Sequence, residues 1–158
     1  MNTILVTGAT GFLGGAVTVN LLKKRENNRL LLLVRGDSPS EGLTRLQGNL
    51  AKFGVDASLL NTLTTENILI GDLAEPERFT DDPRLDAVTH VINCAAVASF
   101  VTTPFIWKVL VEGTFQFAHR MSQVSGLNRF IHVVTALSCA PEANTLVTER
   151  ELNTLRDQ

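Results

Sequence analysis

Thr3-Ile4-Leu5-Val6-Thr7-Gly8-Ala9-Thr10-Gly11-Phe12-Leu13-Gly14 is the stretch that decides the fold. Its short apolar run breaks on glycine, which predicts a buried strand entering a tight turn. Apolar residues then recur at Phe12, Leu13, Ala16, Val17, Leu21 and Leu22, the spacing of a helix running to Arg25. Lys23, Lys24 and Arg25 fall where cations complement the helix dipole. The three glycines do different things. Gly8 lets the chain leave the strand sharply, Gly11 lets backbone approach a ligand without a Cβ in the way, and Gly14 lets the helix pack close to the strand. A helix N-terminus opened in this way offers N–H groups and partial positive charge to phosphate. Thr7, Gly8, Thr10, Gly11, Phe12, Leu13 and Gly14 are therefore the expected pyrophosphate-binding corner of a dinucleotide site. The competing reading is a plain strand–turn–helix corner with no ligand.

Outward from this corner, strand and helix patterns alternate. Strands are expected at 29–34, 67–70, 87–93 and 129–135. Ser38-Pro39-Ser40-Glu41 combines a cap, a first-turn proline and a capping-box glutamate, predicting a helix that runs to Phe53 and stops at Gly54. A short helix is expected over 57–63. A long one opens at Thr103-Pro104 and reaches Ser125, with Gly126 as its cap. Such alternation predicts a parallel sheet with right-handed crossovers. Trp107 and the phenylalanines fit helix packing, and His132 fits a satisfied core histidine in an apolar strand.

Composition narrows the function classes. The chain has 158 residues, 44% hydrophobic and 19% charged, with a net charge of −2. One domain with one core is the expectation, and nothing argues for nucleic acid or an anionic membrane surface. The longest apolar run, Leu30–Val34, is far shorter than a membrane span, and Met1–Val6 does not read as a signal peptide. Cys94 and Cys139 form no Cys-x-x-Cys pair and the three histidines have no ligand spacing, so no metal site is expected and a reducing, cytoplasmic setting is the simple reading.

In a dinucleotide fold the end of the second strand meets the adenosine ribose, where an acidic residue suits NAD and an arginine suits the 2′-phosphate of NADP. That position reads Val34-Arg35-Gly36. Arg35 supports NADP over NAD, because a guanidinium pairs with phosphate in fork geometry. Arg45 is a candidate second phosphate partner. Each arginine also fits a solvated surface position, and Asp37 fits the start of a loop.

The Gly-x-x-Gly-x-x-Gly spacing after Thr7 resembles the extended short-chain dehydrogenase/reductase superfamily. Val34-Arg35, the Leu43-Thr44-Arg45-Leu46…Phe53-Gly54 helix and the segment Asn93 to Phe100 resemble its thioester and fatty-acyl reductase branch, the male-sterility type. The resemblance implies a doubly wound α/β Rossmann sheet of about five strands in the order 3-2-1-4-5. Residues 1–140 would be the NAD(P)-binding domain, and 141–158 a polar tail starting the substrate side. Asp72, followed by Leu73, would accept from the adenine amino group. Asn93, Ala95 and Ala96 would close the fourth strand and leave room for the dinucleotide, with Cys94 a small packed residue. Thr135 would be the catalytic hydroxyl, with Ser138 the weaker candidate. The implied reaction is NADPH-dependent reduction of a small-molecule or carrier-bound acyl substrate.

The sequence departs from that family in two places. The family's hydride chemistry uses a Tyr-x-x-x-Lys pair, yet there is no tyrosine and no lysine after Lys108. Where the family often has Asn-Val-x-Gly-Thr, this chain has Leu110-Val111-Glu112-Gly113-Thr114. The expectation is an N-terminal piece of a longer reductase, cut before the catalytic helix and the C-terminal substrate region, or a naturally short relative. A non-catalytic dinucleotide module and a nucleotide-sugar epimerase or dehydratase fragment are the alternatives. An incomplete sheet would also leave an exposed edge that favours homo-oligomers.

Overall fold

The computed structural model describes residues 1–24, 26–96 and 103–134. In chain order these form β1 (Asn2–Thr7), α1 (Phe12–Lys24), β2 (Asn28–Val34), α2 (Pro39–Ala51), α3 (Ala57–Leu60), β3 (Ile68–Ile70), β4 (His90–Asn93), α4 (Pro104–Trp107), α5 (Thr114–Ser122) and β5 (Arg129–His132). A π-helical turn, Lys108–Gly113, joins α4 to α5. The strands make one sheet in the order β3-β2-β1-β4-β5, and every pairing is parallel. The doubly wound Rossmann architecture expected from the glycine corner is the one observed.

The apolar strands follow from this architecture. A parallel sheet covered on both faces buries every side chain, and the two-residue period sorts them. Ile4, Val6, Leu32 and Val34 pack with Val19 of α1 and Leu46 and Leu50 of α2. Leu5, Leu31, Leu33 and Val91 pack on the other face with Phe117 and Met121 of α5. Edge strand β5 is the least covered, with only Phe130 drawn into the core.

Element ends moved where the chain tightens. Lys52, Phe53 and Gly54 donate to carbonyls three residues back, so α2 closes at Ala51 and Gly54, at φ +66°, turns the chain. The same three-residue bonding at Thr62 and Leu63 stops α3 at Leu60. β4 begins at His90 because Pro83–Ala87 forms a 3₁₀ turn capped by Asp82. The long helix ends at Ser122, where Gln123 and Val124 bond three residues back, and Gly126 does not take the left-handed conformation. Ser38 Oγ caps α2 by accepting from Glu41 N–H at 3.3 Å, but the Glu41 carboxylate reaches Asp37 N–H, one residue before the capping-box position.

Two packing expectations are corrected. Phe79 and Phe117 are fully buried, but Phe12, Phe115, Trp107 and Phe105 are more than half exposed. His132 is exposed too, at the end of an edge strand whose pairing stops with it.

Candidate functional site

The glycine corner is built from backbone contacts. Gly8 has φ +67°, and a Cβ there would lie 2.8 Å from the Cys94 carbonyl and Ala95 N. A Cβ on Gly14 would lie 2.2 Å from the Gly8 carbonyl oxygen. The turn is thus pressed between the end of β4 and the first turn of α1, as close as glycine permits. Gly11 N–H donates to Gly8 O at 2.8 Å and closes it. α1 has no acidic residue in its first turn, so no carboxylate offsets the positive end of its dipole.

Beneath the corner lies a row of polar side chains. Thr7, Asn93 and His132 are in register across β1, β4 and β5. Ala95 N–H donates to Thr7 Oγ1 at 3.0 Å, and the Thr7 hydroxyl donates to Asn93 Oδ1. Asn93 Nδ2 then donates to His132 Nδ1 at 3.0 Å, which leaves the ring proton on Nε2. Thr7 and Asn93 are fully buried. They hold the strand ends together beneath the glycine corner.

Above them a crevice of about 230 Å³ runs along the C-terminal ends of the strands. It gathers Gly8, Thr10 and Gly11 from the corner, Arg35 and Arg45 from the β2–α2 region, Asp72 and Leu73 after β3, and Ala95 and Ala96 after β4. Gly14 is buried, while Phe12 and Leu13 stand exposed on the first turn of α1. Thr135, Ser138, Phe100 and the polar tail lie outside the described residues. A larger hollow, about 510 Å³, sits at the other end of β2, between Leu21, Leu22 and Leu59, and holds none of the expected site residues.

The charges of the crevice collect at one end. Arg45 Nη1 donates to the Arg35 carbonyl at 3.2 Å, which brings a second guanidinium to the end of β2. Arg35 Nη1 stands 3.8 Å from Asp72 Oδ2, and Asp72 Oδ1 accepts from Ala74 N–H at 2.9 Å. The Arg35 side chain is 61% exposed, so this ion pair contributes little and exchanges readily. Burial pushes the Cys94 thiol up, which keeps it protonated and a poor nucleophile. Besides Leu33 and Gly71, which flank expected positions at the ends of β2 and β3, Phe105 and Val109 line the crevice without having been expected there. Their only signal was the four-residue step backward from Gly113. Among the described residues no cluster of three or more His, Cys, Asp or Glu fits a metal, and no helix is long and apolar enough to cross a membrane.

The model of the male sterility protein family matches residues 6–157. The chain belongs to this family. It is therefore a member of the NAD(P)-binding thioester reductase branch of the extended short-chain dehydrogenase/reductases. It is 30% identical over 146 residues to isonitrile lipopeptide synthase of Mycobacterium tuberculosis, covering 86% of this chain and 6% of the synthase. The reductase domain of a nonribosomal peptide synthetase from Mycobacterium tuberculosis is 31% identical, with a TM-score of 0.66 over 89% of this chain and 34% of that one. The terminal R domain of the myxalamid PKS-NRPS pathway has a TM-score of 0.69 at 25% identity, over 86% of this chain and 35% of that one. The family member described here thus spans about a third of those solved reductase chains.

Proposed function

We propose that the crevice binds NADP(H) and that the chain is the cofactor half of a reductase acting on a carrier-bound acyl thioester. The observation that carries the first part is the arginine pair. Two guanidiniums share the end of β2, where the ribose lies in this fold, and Asp72 balances only one of them, at 3.8 Å. A dianionic 2′-phosphate suits that charge, and a free 2′-hydroxyl does not. The glycine corner fits the pyrophosphate, because a Cβ at Gly8 would meet the end of β4 and one at Gly14 would meet the turn itself, so only glycines let the backbone turn this tightly at the head of α1. Asp72 would accept from the adenine amino group, and Ala95 and Ala96 would leave the dinucleotide room to cross toward β4.

The second part rests on relatives. Solved neighbours are reductase domains of nonribosomal peptide synthetases, and one of them is a thiolation-reductase di-domain. Bound NADPH supplies a hydride from nicotinamide C4. Thr135, three residues past the end of β5, would hydrogen-bond the substrate oxygen, and a Tyr-x-x-x-Lys pair from a longer protein would move the proton. Leu110 favours a second reading. It packs half-buried against the α5-side core where the family often has asparagine, as suits a module that binds dinucleotide without turnover.

The test is calorimetric titration of the chain with NADPH and NADH, repeated with Arg35→Ala. NADPH binding that weakens in the variant while NADH binding does not supports the reading. A folded chain that binds neither nucleotide overturns it. Turnover of an acyl thioester by a longer protein carrying the Tyr-x-x-x-Lys pair separates the reductase from the binding module.

A further inference from the structure

The helix that closes the crevice carries buried residues at a four-residue step: Val109, Gly113, Phe117 and Met121. In an α-helix of 3.6 residues per turn, four residues overshoot a turn by about 40°, so such a stripe winds off the face it began on. The π turn Lys108–Gly113 winds more slowly and takes up that drift. Thr114 Oγ1 bonds the Val109 carbonyl across it at 3.0 Å. At Gly113 the helix lies on the chain next to Asp72, since a Cβ there would fall 1.6 Å from the Leu73 carbonyl oxygen. One step back from Val109, the stripe leaves the core and reaches the crevice at Phe105. Phe105 and Val109 both line the 230 Å³ crevice, and Phe105 also lines the adjoining hollow of about 280 Å³ beside Arg35, Asp72 and Glu75. Phe105 is 51% exposed and shares the lining of both hollows with the Arg35–Asp72 pair.

We propose that Phe105 is the purine-contacting residue of the crevice, an aromatic face set by the π turn and Gly113 against which the adenine of the dinucleotide packs. This rests on the NADP(H) reading above and adds a residue to it. A purine is flat and apolar on its faces and polar at its edge. Asp72 offers the edge an acceptor, the arginines offer the adjoining phosphate a counter-charge, and Phe105 offers the face a surface of its own kind. The exposed phenyl ring gains burial on binding, which an aliphatic residue of similar size would reproduce only in part.

The experiment separates the dinucleotide into halves. Wild type, Phe105→Ala, Phe105→Leu and Phe105→Trp are titrated with NADPH, with 2′,5′-ADP and with reduced nicotinamide mononucleotide, and thermal melts check that each variant folds. Phe105→Ala is expected to weaken NADPH and 2′,5′-ADP alike by about tenfold, the usual scale for losing a base–aromatic stack. Phe105→Leu should fall between, Phe105→Trp should bind as wild type does, and the mononucleotide should be indifferent to all three. Unchanged 2′,5′-ADP affinity in a folded Phe105→Ala overturns the proposal, as does a loss confined to the mononucleotide. Failure of the underlying reading looks different: wild type itself then binds neither NADPH nor 2′,5′-ADP.

Discussion

The two ends of the crevice are made of different material. At the corner, specification comes from what is missing. Gly8 has no Cβ to collide with Cys94 and Ala95, Gly14 has none to collide with Gly8, and the bonds below them run through Thr7 and Asn93, both fully buried. At the end proposed to hold adenosine, specification comes from long side chains in solvent. Arg35 and Arg45 are exposed, and the Arg35–Asp72 pair is open at 3.8 Å. The first end is continuous with the core and, on the NADP(H) reading, takes the pyrophosphate of either dinucleotide. The second is nearly independent of the core and, on the NADP(H) reading, selects among dinucleotides. Changes at the first end should therefore strike binding and stability together and ignore the identity of the cofactor. Changes at the second should do the reverse.

The harshest break of this contrast is Gly14→Ala. Its methyl would start 2.2 Å from the Gly8 carbonyl, a backbone atom that cannot swing aside. Overpacking of this kind costs about 1–3 kcal/mol, so affinity for NADPH and NADH should fall together by up to about 100-fold, with a lower melting temperature. A variant that lost one nucleotide and kept the other would erase the distinction between the two ends. Arg35→Ala comes next and is the sharper tool. Removing a charge-assisted phosphate partner should weaken NADPH by about 10- to 100-fold, leave NADH where it was, and barely move the melting temperature. Equal losses for both nucleotides would mean that the arginine serves the pyrophosphate or the fold.

This contrast also explains what the sequence made legible. The corner could be read because glycine spacing after an apolar run reports backbone geometry directly. Gly8, Gly11 and Gly14 stand in the sequence as they do in space, and the five-strand order came with the family resemblance that this corner and the other motifs carry. Arg35 was legible because it ends a strand, where position along the chain fixes position in the crevice. Phe105 was not, since its place depends on a π turn that shifts the phase of the helix behind it, and Lys108–Gly113 carries no local sign of that wider winding. The exposure of His132 was hidden for a related reason. An apolar strand at the edge of a sheet reads like one at its centre, and only the partners on either side tell them apart. The start of β4 was misplaced, at Ala87 rather than His90, because Ala87 belongs to the Pro83–Ala87 turn that the Asp82 cap claims.

Arg45→Ala should have a smaller effect than Arg35→Ala. Its guanidinium is held against the Arg35 carbonyl and is exposed, so a loss of about three- to fivefold for NADPH, shrinking as salt is raised, is the expected scale. A loss as large as that of Arg35→Ala, insensitive to salt, would move the centre of the phosphate site onto α2.

A third arginine supplies the control with no expected effect on cofactor choice. Arg84 pairs with Asp82 through two bonds of 2.9 and 2.8 Å and also donates to the Ile68 carbonyl at 3.0 Å, tying the turn before β4 to the start of β3. Here a guanidinium is spent on the fold. Hydrogen bonding from Arg84 holds the Asp82 carboxyl below the usual carboxylate range, against the opposing effect of burial. A carboxylate depressed in the folded state stabilises the fold above its unfolded value, near pH 3.9, and that stabilisation is lost as pH falls through the lower folded value. Arg84→Ala should lower stability at neutral pH by about 1–2 kcal/mol and remove part of the acid-side loss, while the ratio of NADPH to NADH affinity stays constant. Chemical unfolding at pH 7 and near pH 3, alongside the two titrations, measures both quantities. A changed nucleotide ratio would show that the adenosine end leans on the β3 turn after all, and that the two ends of the crevice are less separable than their materials suggest.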